Sequence, residues 1–290
     1  MMNYVEFVDF VAKDIVNEEG LDNFEIHTAT VEKLQGASYY GLRVRIPNSK
    51  LGFNMDIHKL YDEFAEGESY RAVLTRIVEF IIEQSKKTPD FSFDRIGDYD
   101  EIKDHLMIQV VSAETNADFL KNVPHHIKDD LAVVYRCIVG ENKKGRASYV
   151  IENSHLKHFG ITAEQLHADA LKSSQANYPA QFMNISDMFG IFNSSPMYVA
   201  RSSEINGAGC IFYPDFMDEV SEKLGGDFFI LPSSIHEVIM VPDDGEDNNA
   251  LTLLSIVREV NETEVSKEEK LTDAVYHYDS MTRQWGKVKF

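Results

Sequence analysis

The chain has 290 residues, 43% hydrophobic and 26% charged, so it has a globular composition and can bury one large core or two ordinary ones. Its formal net charge is −20, which excludes nonspecific binding to nucleic acid or to an anionic membrane, because such binding needs clusters of Lys and Arg. No segment approaches the roughly 18 apolar residues of a membrane span, and the acidic N-terminus does not resemble a signal peptide. We therefore expect a cytoplasmic protein.

Hydrophobic periodicity predicts the elements of the N-terminal third. Residues 3–18 place apolar side chains at helical spacing, and residues 25–34 and 39–46 alternate as the strands of a hairpin. Residues 53–69 begin extended and pass into a short helix, and residues 70–86 form the clearest helix of the chain. The apolar stripes of the first and last helices are Val5, Val8, Val11, Ala12 and Ile15, and Val73, Ile77, Phe80 and Ile81.

The remaining two thirds are predicted to mix helices with short strands. Thr162 and Gln165 form a capping box for a helix over 163–174. A strand is predicted at 209–213, followed by a helix with Pro214 in its first turn. The other predictions are strands at 105–112, 197–202, 228–231 and 238–241, helices at 113–122 and 250–260, a loop with one helical turn at 178–195, and hairpins at 131–139 with 147–151 and at 274–279 with 284–288.

These patterns predict an α+β fold with mixed or antiparallel sheets and helices packed on them. We expect residues 1–290 to form a single unit, or two closely joined lobes over 1–92 and 105–290 with a polar connection at 90–104. Cys137 and Cys210 lie in apolar strand-like runs, so we predict two buried free thiols rather than a disulfide.

The strongest candidate site lies in GDFFILPSSIHEVIMVPDD, residues 226–244, where two apolar runs flank a polar segment. In an extended chain Ser234 and His236 share a face, and Glu237 would orient the imidazole, which makes these three residues catalytic candidates for a hydrolase. However, catalytic triads usually draw on separate elements, and no G-x-S-x-G motif precedes either serine. The preferred interpretation is a binding surface of Ser233, Ser234, His236 and Glu237, with the hydroxyls capping backbone groups.

No metal or other cofactor is predicted. His236-Glu237 begins like the helix of a zinc protease, but Met240 stands where the second histidine is required. Phosphate-binding glycine motifs are absent from the sequence, and Asn206-Gly207-Ala208-Gly209 alone indicates only a flexible turn.

Two further groups of histidines invite a metal interpretation. His155 and His158 are three residues apart and would share a helical face, with His167 further along, but exposed polar positions explain them better. His125 and His126 are adjacent and therefore point in different directions, so we interpret them as part of a solvated turn or cap.

The C-terminal region is acidic. Residues 243–279 contain 11 Asp and Glu against three Lys and Arg, whereas the terminal segment MTRQWGKVKF is basic. A solvated face is the simplest interpretation of such a run. The alternatives are a surface that guides a protein partner and an acidic mimic of nucleic acid.

Four segments, in order, carry a resemblance: LAVVYRCIVG, HLKHFGITAEQLHADALKSS, GGDFFILPSSIHEVIMVPDD and LTDAVYHYDSMTRQW. They resemble an uncharacterised family, classed as a domain of unknown function, of proteins of about this chain's length from anaerobic Gram-positive bacteria, often encoded near mobile elements. The resemblance covers most of the chain and implies a cytoplasmic bacterial protein whose full length is one unit. It brings no activity, cofactor or catalytic residue.

We therefore predict a non-enzymatic interaction or regulatory protein of unknown biochemical activity, in a bacterial mobile-element context and with a protein partner. The alternatives are a hydrolase that uses Ser234, His236 and Glu237, and an acidic nucleic-acid mimic that acts on a nuclease or restriction system.

Overall fold

A computed structural model of the chain describes residues 2–32, 34–36, 38–48, 52–87, 98–142, 145–189, 197–202, 206–245 and 249–290. The chain divides into two units. The first consists of Met1–Asp94 with Val139–Ala147, and the second of Arg95–Ile138 with Ser148–Phe290. Much of the predicted polar connection at 90–104 lies outside the described residues, and the described remainder includes a short helix.

The described residues of the first unit combine three α-helices with a three-stranded antiparallel sheet of order β1-β2-β3. The predicted N-terminal helix and the hairpin are both confirmed. Asn3 begins the first helix, because its side chain accepts the Glu6 N–H while the Glu6 carboxylate accepts the Asn3 N–H. The elements are α1 (Tyr4–Asp14), β1 (Glu25–Glu32), β2 (Ser38–Arg45), β3 (Gly52–Met55), α2 (His58–Ala65) and α3 (Tyr70–Lys87).

The core of the first unit forms where α1 and α3 bury their apolar faces. Phe7, Val11 and Ile77 are completely buried there. The prediction is wrong for two residues that it assigned to these apolar faces. Val5 is 50% exposed and Phe80 is 40% exposed. Both lie at the margin of an apolar stripe, where helical spacing alone does not decide burial.

The part of the second unit that the structure describes contains two antiparallel sheets. One has the order β4-β6-β5 with β7 also paired to β6, and the other has the order β13-β12-β10-β11-β9-β8. The predicted α+β class with antiparallel sheets is thereby confirmed. The elements are α4 (Tyr99–Ile102), β4 (Leu106–Ser112), α5 (Ala117–Leu120), β5 (His125–Lys128), β6 (Leu131–Asn142), β7 (Gly145–Val150), α6 (Asn153–Phe159), α7 (Ala163–Asn177), β8 (Gln181–Asn184), α8 (Ile185–Phe189), β9 (Tyr198–Arg201), α9 (Phe216–Leu224), β10 (Phe228–Leu231), β11 (Val238–Pro242), α10 (Asn249–Thr263), β12 (Tyr276–Asp279) and β13 (Gln284–Lys287).

Strand β10 is an inner strand of the six-stranded sheet. It pairs with β11 on one side and with β12 on the other, so Phe229 lies opposite both Val241 and His277. All four of its residues are buried, and Leu253 and Val257 of α10 pack against this part of the sheet. The two apolar runs that flank the candidate site are therefore strands, as predicted, and the structure shows that they pair with each other.

The structure also differs from the sequence prediction in the segments before α9 and around β8. The strand predicted at 209–213 is wrong, because Gly207–Phe212 forms a buried 3-10 helix. A short buried apolar run has no periodicity that separates strand from helix. Strand β8 lies in the segment interpreted as a loop, whereas the helical turn expected there is confirmed as α8.

Both cysteines are buried and free, as predicted. Among the helices of the described residues, none is both long and apolar enough to cross a membrane.

Candidate functional site

The polar segment between β10 and β11, residues 232–237, is hydrogen-bonded to backbone on both of its sides. We call it the polar junction. On one side the Ile235 N–H donates to the Glu269 carbonyl at 2.8 Å, and the Ser233 carbonyl accepts the Leu271 N–H at 2.9 Å. On the other side the Ile235 carbonyl accepts the Ala208 N–H at 3.1 Å. The polar junction thus behaves like a short additional strand with little freedom to move.

His236 has a polar neighbour at each ring nitrogen. The backbone N–H of Asn206 donates to Nδ1 at 3.1 Å, and Nε2 lies at ion-pair distance, 3.3 Å, from a carboxylate oxygen of Glu269. Because Nδ1 accepts, the proton of the neutral ring is on Nε2, the nitrogen nearer to Glu269. The side chain of His236 is 29% exposed and that of Glu269 is 45% exposed, so this pair lies at the surface.

The other two predicted side chains point to other partners. The Ser234 hydroxyl accepts the backbone N–H of His236 at 3.1 Å, which is a local cap of the kind expected after a proline. Glu237 lies 3.5 Å from the guanidinium of Arg201. The structure therefore brings Ser234, His236 and Glu237 together in one segment without joining them in a nucleophile–base–carboxylate relay.

Gly207 allows the polar junction to approach the 3-10 helix closely. A Cβ at this position would lie only 2.6 Å from the carbonyl oxygen of His236. Glycine is therefore required here by backbone contact, independently of any ligand.

The histidines considered as metal ligands make separate hydrogen bonds and ring contacts. His155 caps the start of α6, where its Nδ1 accepts the Glu152 N–H at 2.9 Å, and it stacks on Phe159. Among the described residues, no group of three or more His, Cys, Asp or Glu is arranged to hold a metal ion.

A cleft of about 310 Å³ lies elsewhere in the second unit. It is formed by β5, α7, the 3-10 helix, the start of α9 and the C-terminal hairpin, and we call it the Trp285 cleft. Its volume is at the lower end of the range of small-ligand sites. The lining residues are His126, Lys128, His167, Ile211, Phe212, Tyr213, Asp215, Met217, Asp218, Tyr278, Arg283, Gln284 and Trp285.

Two stacked imidazoles form one wall of this cleft. The rings of His126 and His167 are 4.6 Å apart between centroids and 23° from parallel. The hydroxyl of Tyr135 lies 2.9 Å from His167 Nδ1, and burial raises the pKa of Tyr135, so the phenol keeps its proton. Burial and the neighbouring His126 lower the pKa of His167, so this ring is neutral near pH 7.

Other residues of the lining carry aromatic rings and fixed charges. Phe212 packs edge-on against Trp285 at 5.2 Å, and the ammonium of Lys128 lies 4.9 Å from the centre of the indole. Arg283 forms an ion pair with Asp218, whose carboxylate also accepts the hydroxyl of Tyr278.

Sequence reasoning missed the Trp285 cleft. The interpretation of His125 and His126 as a turn is wrong, because both lie in β5, where alternation sends one ring away from the other. His126 then meets His167, which lies on α7 and far along the chain. The available signals were the single tryptophan and the alternation of His126 with Lys128, but neither specifies the partner across the cleft.

A second groove of about 410 Å³ runs between α4 and α7. Its wall is mainly carboxylate, ammonium and amide side chains, and Tyr99 donates its hydroxyl to Asp169 at 2.8 Å. The mixed charges of this groove favour no particular ligand.

The sequence profile of a family of unknown function, DUF5688, matches residues 4–280. No match was found among curated proteins or among solved structures.

Proposed function

Because the chain belongs to the DUF5688 family, whose function is unknown, we propose a function from the geometry of the polar junction: a non-enzymatic interaction protein that binds a basic protein partner. The observation that carries this proposal is the fixed placement of surface carboxylates. Glu237 and Glu269 are 41% and 45% exposed, and each is held by a cationic or imidazole neighbour.

Preorganisation supports binding at this surface. The backbone of the polar junction is bonded on both sides, so this backbone loses little conformational freedom when a partner docks. Backbone N–H groups also engage the Ser234 hydroxyl and Nδ1 of His236, and Nε2 of His236 lies at ion-pair distance from Glu269. Binding thus requires no rearrangement of these groups, whereas hydrolysis would require His236 to exchange a ring partner for the serine hydroxyl.

Charge supports a basic partner. The chain carries −20 overall, and the segment that pairs with the polar junction, residues 264–273, contains Glu264, Glu268, Glu269 and Asp273 against two lysines. Lys and Arg side chains of a partner would be attracted to this surface at long range and would pair with Glu237 and Glu269 at contact.

A pull-down from native lysate tests the proposal. The wild-type chain should capture a basic protein, and Glu237→Gln combined with Glu269→Gln should lose it, because both changes remove charge while preserving shape. Glu222→Gln is the matched control, since Glu222 is an exposed carboxylate on α9, away from the polar junction. Raising the salt concentration should release the partner, because surface attraction is screened.

Equal capture by the double variant and the wild type would contradict the proposal, as would a partner that resists salt and is not basic. Recovery of a nuclease or restriction enzyme would instead support the acidic mimic of nucleic acid, which stays a prediction.

The cellular context is a further part of the proposal. The resemblance described above supports an anaerobic Gram-positive bacterial source and a role near mobile elements, in the cytoplasm. Flanking genes for conjugation or transposition in several genomes would support this context. Metabolic neighbours, or recovery of the protein in the extracellular fraction, would contradict it.

A further inference from the structure

The Trp285 cleft presents an open aromatic face. One face of the His126 ring stacks on His167, and His126 is nonetheless exposed, so its free surface is the opposite face and the ring edge. His167 is held from behind by Tyr135, which fixes the stack in place. A planar ring can extend this stack by one layer without displacing any side chain of the stack.

A cation lies beside that face. Lys128 is two residues from His126 on β5, so both side chains project from the same side of the strand. The ammonium of Lys128 rests on the indole of Trp285, and no carboxylate lies within ion-pair distance of it in the described part of the chain. Arg283, by contrast, is already paired with Asp218.

Lys128 is a cation without an ion pair among the described residues, in a chain with a net charge of −20. Its ammonium is held only by the aromatic face of Trp285, an attraction worth about 0.5–2 kcal/mol. An anionic group bound in the cleft would supply the missing ion pair. The indole would meanwhile keep the stem of the lysine in position.

We propose that the Trp285 cleft binds a small planar anion, namely an aromatic or heteroaromatic ring that stacks on His126 and bears a phosphate or carboxylate group that pairs with Lys128. Nucleoside monophosphates and aromatic carboxylates share this chemistry. This site is independent of the polar junction, so the proposed protein partner and the small ligand can be tested separately.

Trp285 is the only tryptophan of the chain, so its emission reports on this cleft alone. The intact protein is titrated with adenosine monophosphate and with benzoate, and then with adenosine, benzamide and inorganic phosphate. Calorimetry of the same mixtures detects a ligand that leaves the emission unchanged. We expect saturable binding of adenosine monophosphate, of benzoate or of both, at least about tenfold weaker binding of the uncharged counterpart, and none of phosphate alone. The anion that binds shows whether the charged group of the ligand is a phosphate or a carboxylate.

Matched variants locate the binding. Lys128→Ala should weaken binding about tenfold, because a charge-assisted contact is lost. Lys223→Ala is its control, since Lys223 lies over the ring of Phe182 at 5.6 Å and outside the cleft. His126→Ala should also weaken binding, whereas His125→Ala, on the opposite face of β5, should not.

Several results would overturn the proposal: no saturable binding of either anion, equal binding of the uncharged counterparts, binding of phosphate alone, or equal effects of the lysine variant and its control.

Discussion

Asp130 offers the sharpest test of how the second unit is held together. Its carboxylate follows β5 and accepts three donors from the C-terminal part of the chain. They are the hydroxyl of Tyr276, the hydroxyl of Thr272 at 2.7 Å and the ammonium of Lys287 at 2.6 Å. In Asp130→Asn an amide group, itself a donor, replaces one of the accepting oxygens. At least one buried hydroxyl then loses its acceptor.

The expected cost follows from these contacts. Tyr276 is completely buried and Thr272 is 8% exposed, so a hydroxyl left without a partner there cannot bond to water. Losing a hydrogen bond to a charged group costs about 1.5–3 kcal/mol. The pair with Lys287, which is 42% exposed, adds less than about 1 kcal/mol. We expect Asp130→Asn to lower the free energy of unfolding by about 2–3 kcal/mol.

Urea unfolding followed through Trp285 emission measures this change, because the indole packs against Tyr276 with 5.6 Å between ring centroids. The matched control is Asp129→Asn. Asp129 has a φ of 53°, which asparagine tolerates, and its bond to the Lys287 N–H can be kept by the amide oxygen. The control should cost less than about 1 kcal/mol. Equal stability of Asp130→Asn and wild type, or an equal loss in the control, would refute the reasoning.

The same network predicts a dependence on pH. Burial alone would raise the pKa of Asp130, but hydrogen bonds from Lys287, Tyr276 and Thr272 outweigh burial and lower it. The charged carboxylate therefore stabilises the fold above the pKa of the unfolded state, about 4, and this stabilisation is lost as the pH falls through the folded value. The difference between wild type and Asp130→Asn should shrink below about pH 4. If the difference in the free energy of unfolding between the two proteins did not change with pH, the charge of Asp130 would not be the cause of the stabilisation.

Two further predictions concern packing and the thiols. Gly207→Ala should lower the free energy of unfolding by about 1–3 kcal/mol, because the new Cβ would collide with the His236 carbonyl. The control Gly286→Ala, in which the nearest atom lies 3.6 Å from the new Cβ, should not produce this overpacking. Equal losses of the two variants in urea titrations would show that the collision is relieved. Burial raises the pKa of both Cys137 and Cys210, so each thiol stays protonated near pH 7. Each should therefore react with a disulfide reagent only when the protein unfolds. Rapid labelling of the native protein would show that the thiols are accessible.

Local patterns in the sequence were sufficient for much of the fold. The alternation of β1 and β2, the apolar stripe of α3 and the Thr162 cap of α7 all depend on residues close together in the chain, and these elements formed where expected. The 3-10 helix at Gly207–Phe212 was missed, because its packing depends on contacts with distant backbone such as the His236 carbonyl.

The polar junction illustrates both what the sequence determines and what the tertiary structure determines. The sequence alone identified it as a polar segment between two buried strands, because apolar runs and a proline are visible in order. That the ring of His236 contacts Asn206 and Glu269, rather than the hydroxyl of Ser234, was decided by segments that come from before β10 and after α10. The Trp285 cleft was decided entirely by tertiary structure, since sheet register and helix packing bring β5, α7 and β13 together. Composition and periodicity indicate which face of each element is apolar, but which elements become neighbours, and which residues at the margin of a face are buried, depends on the packing of the whole unit.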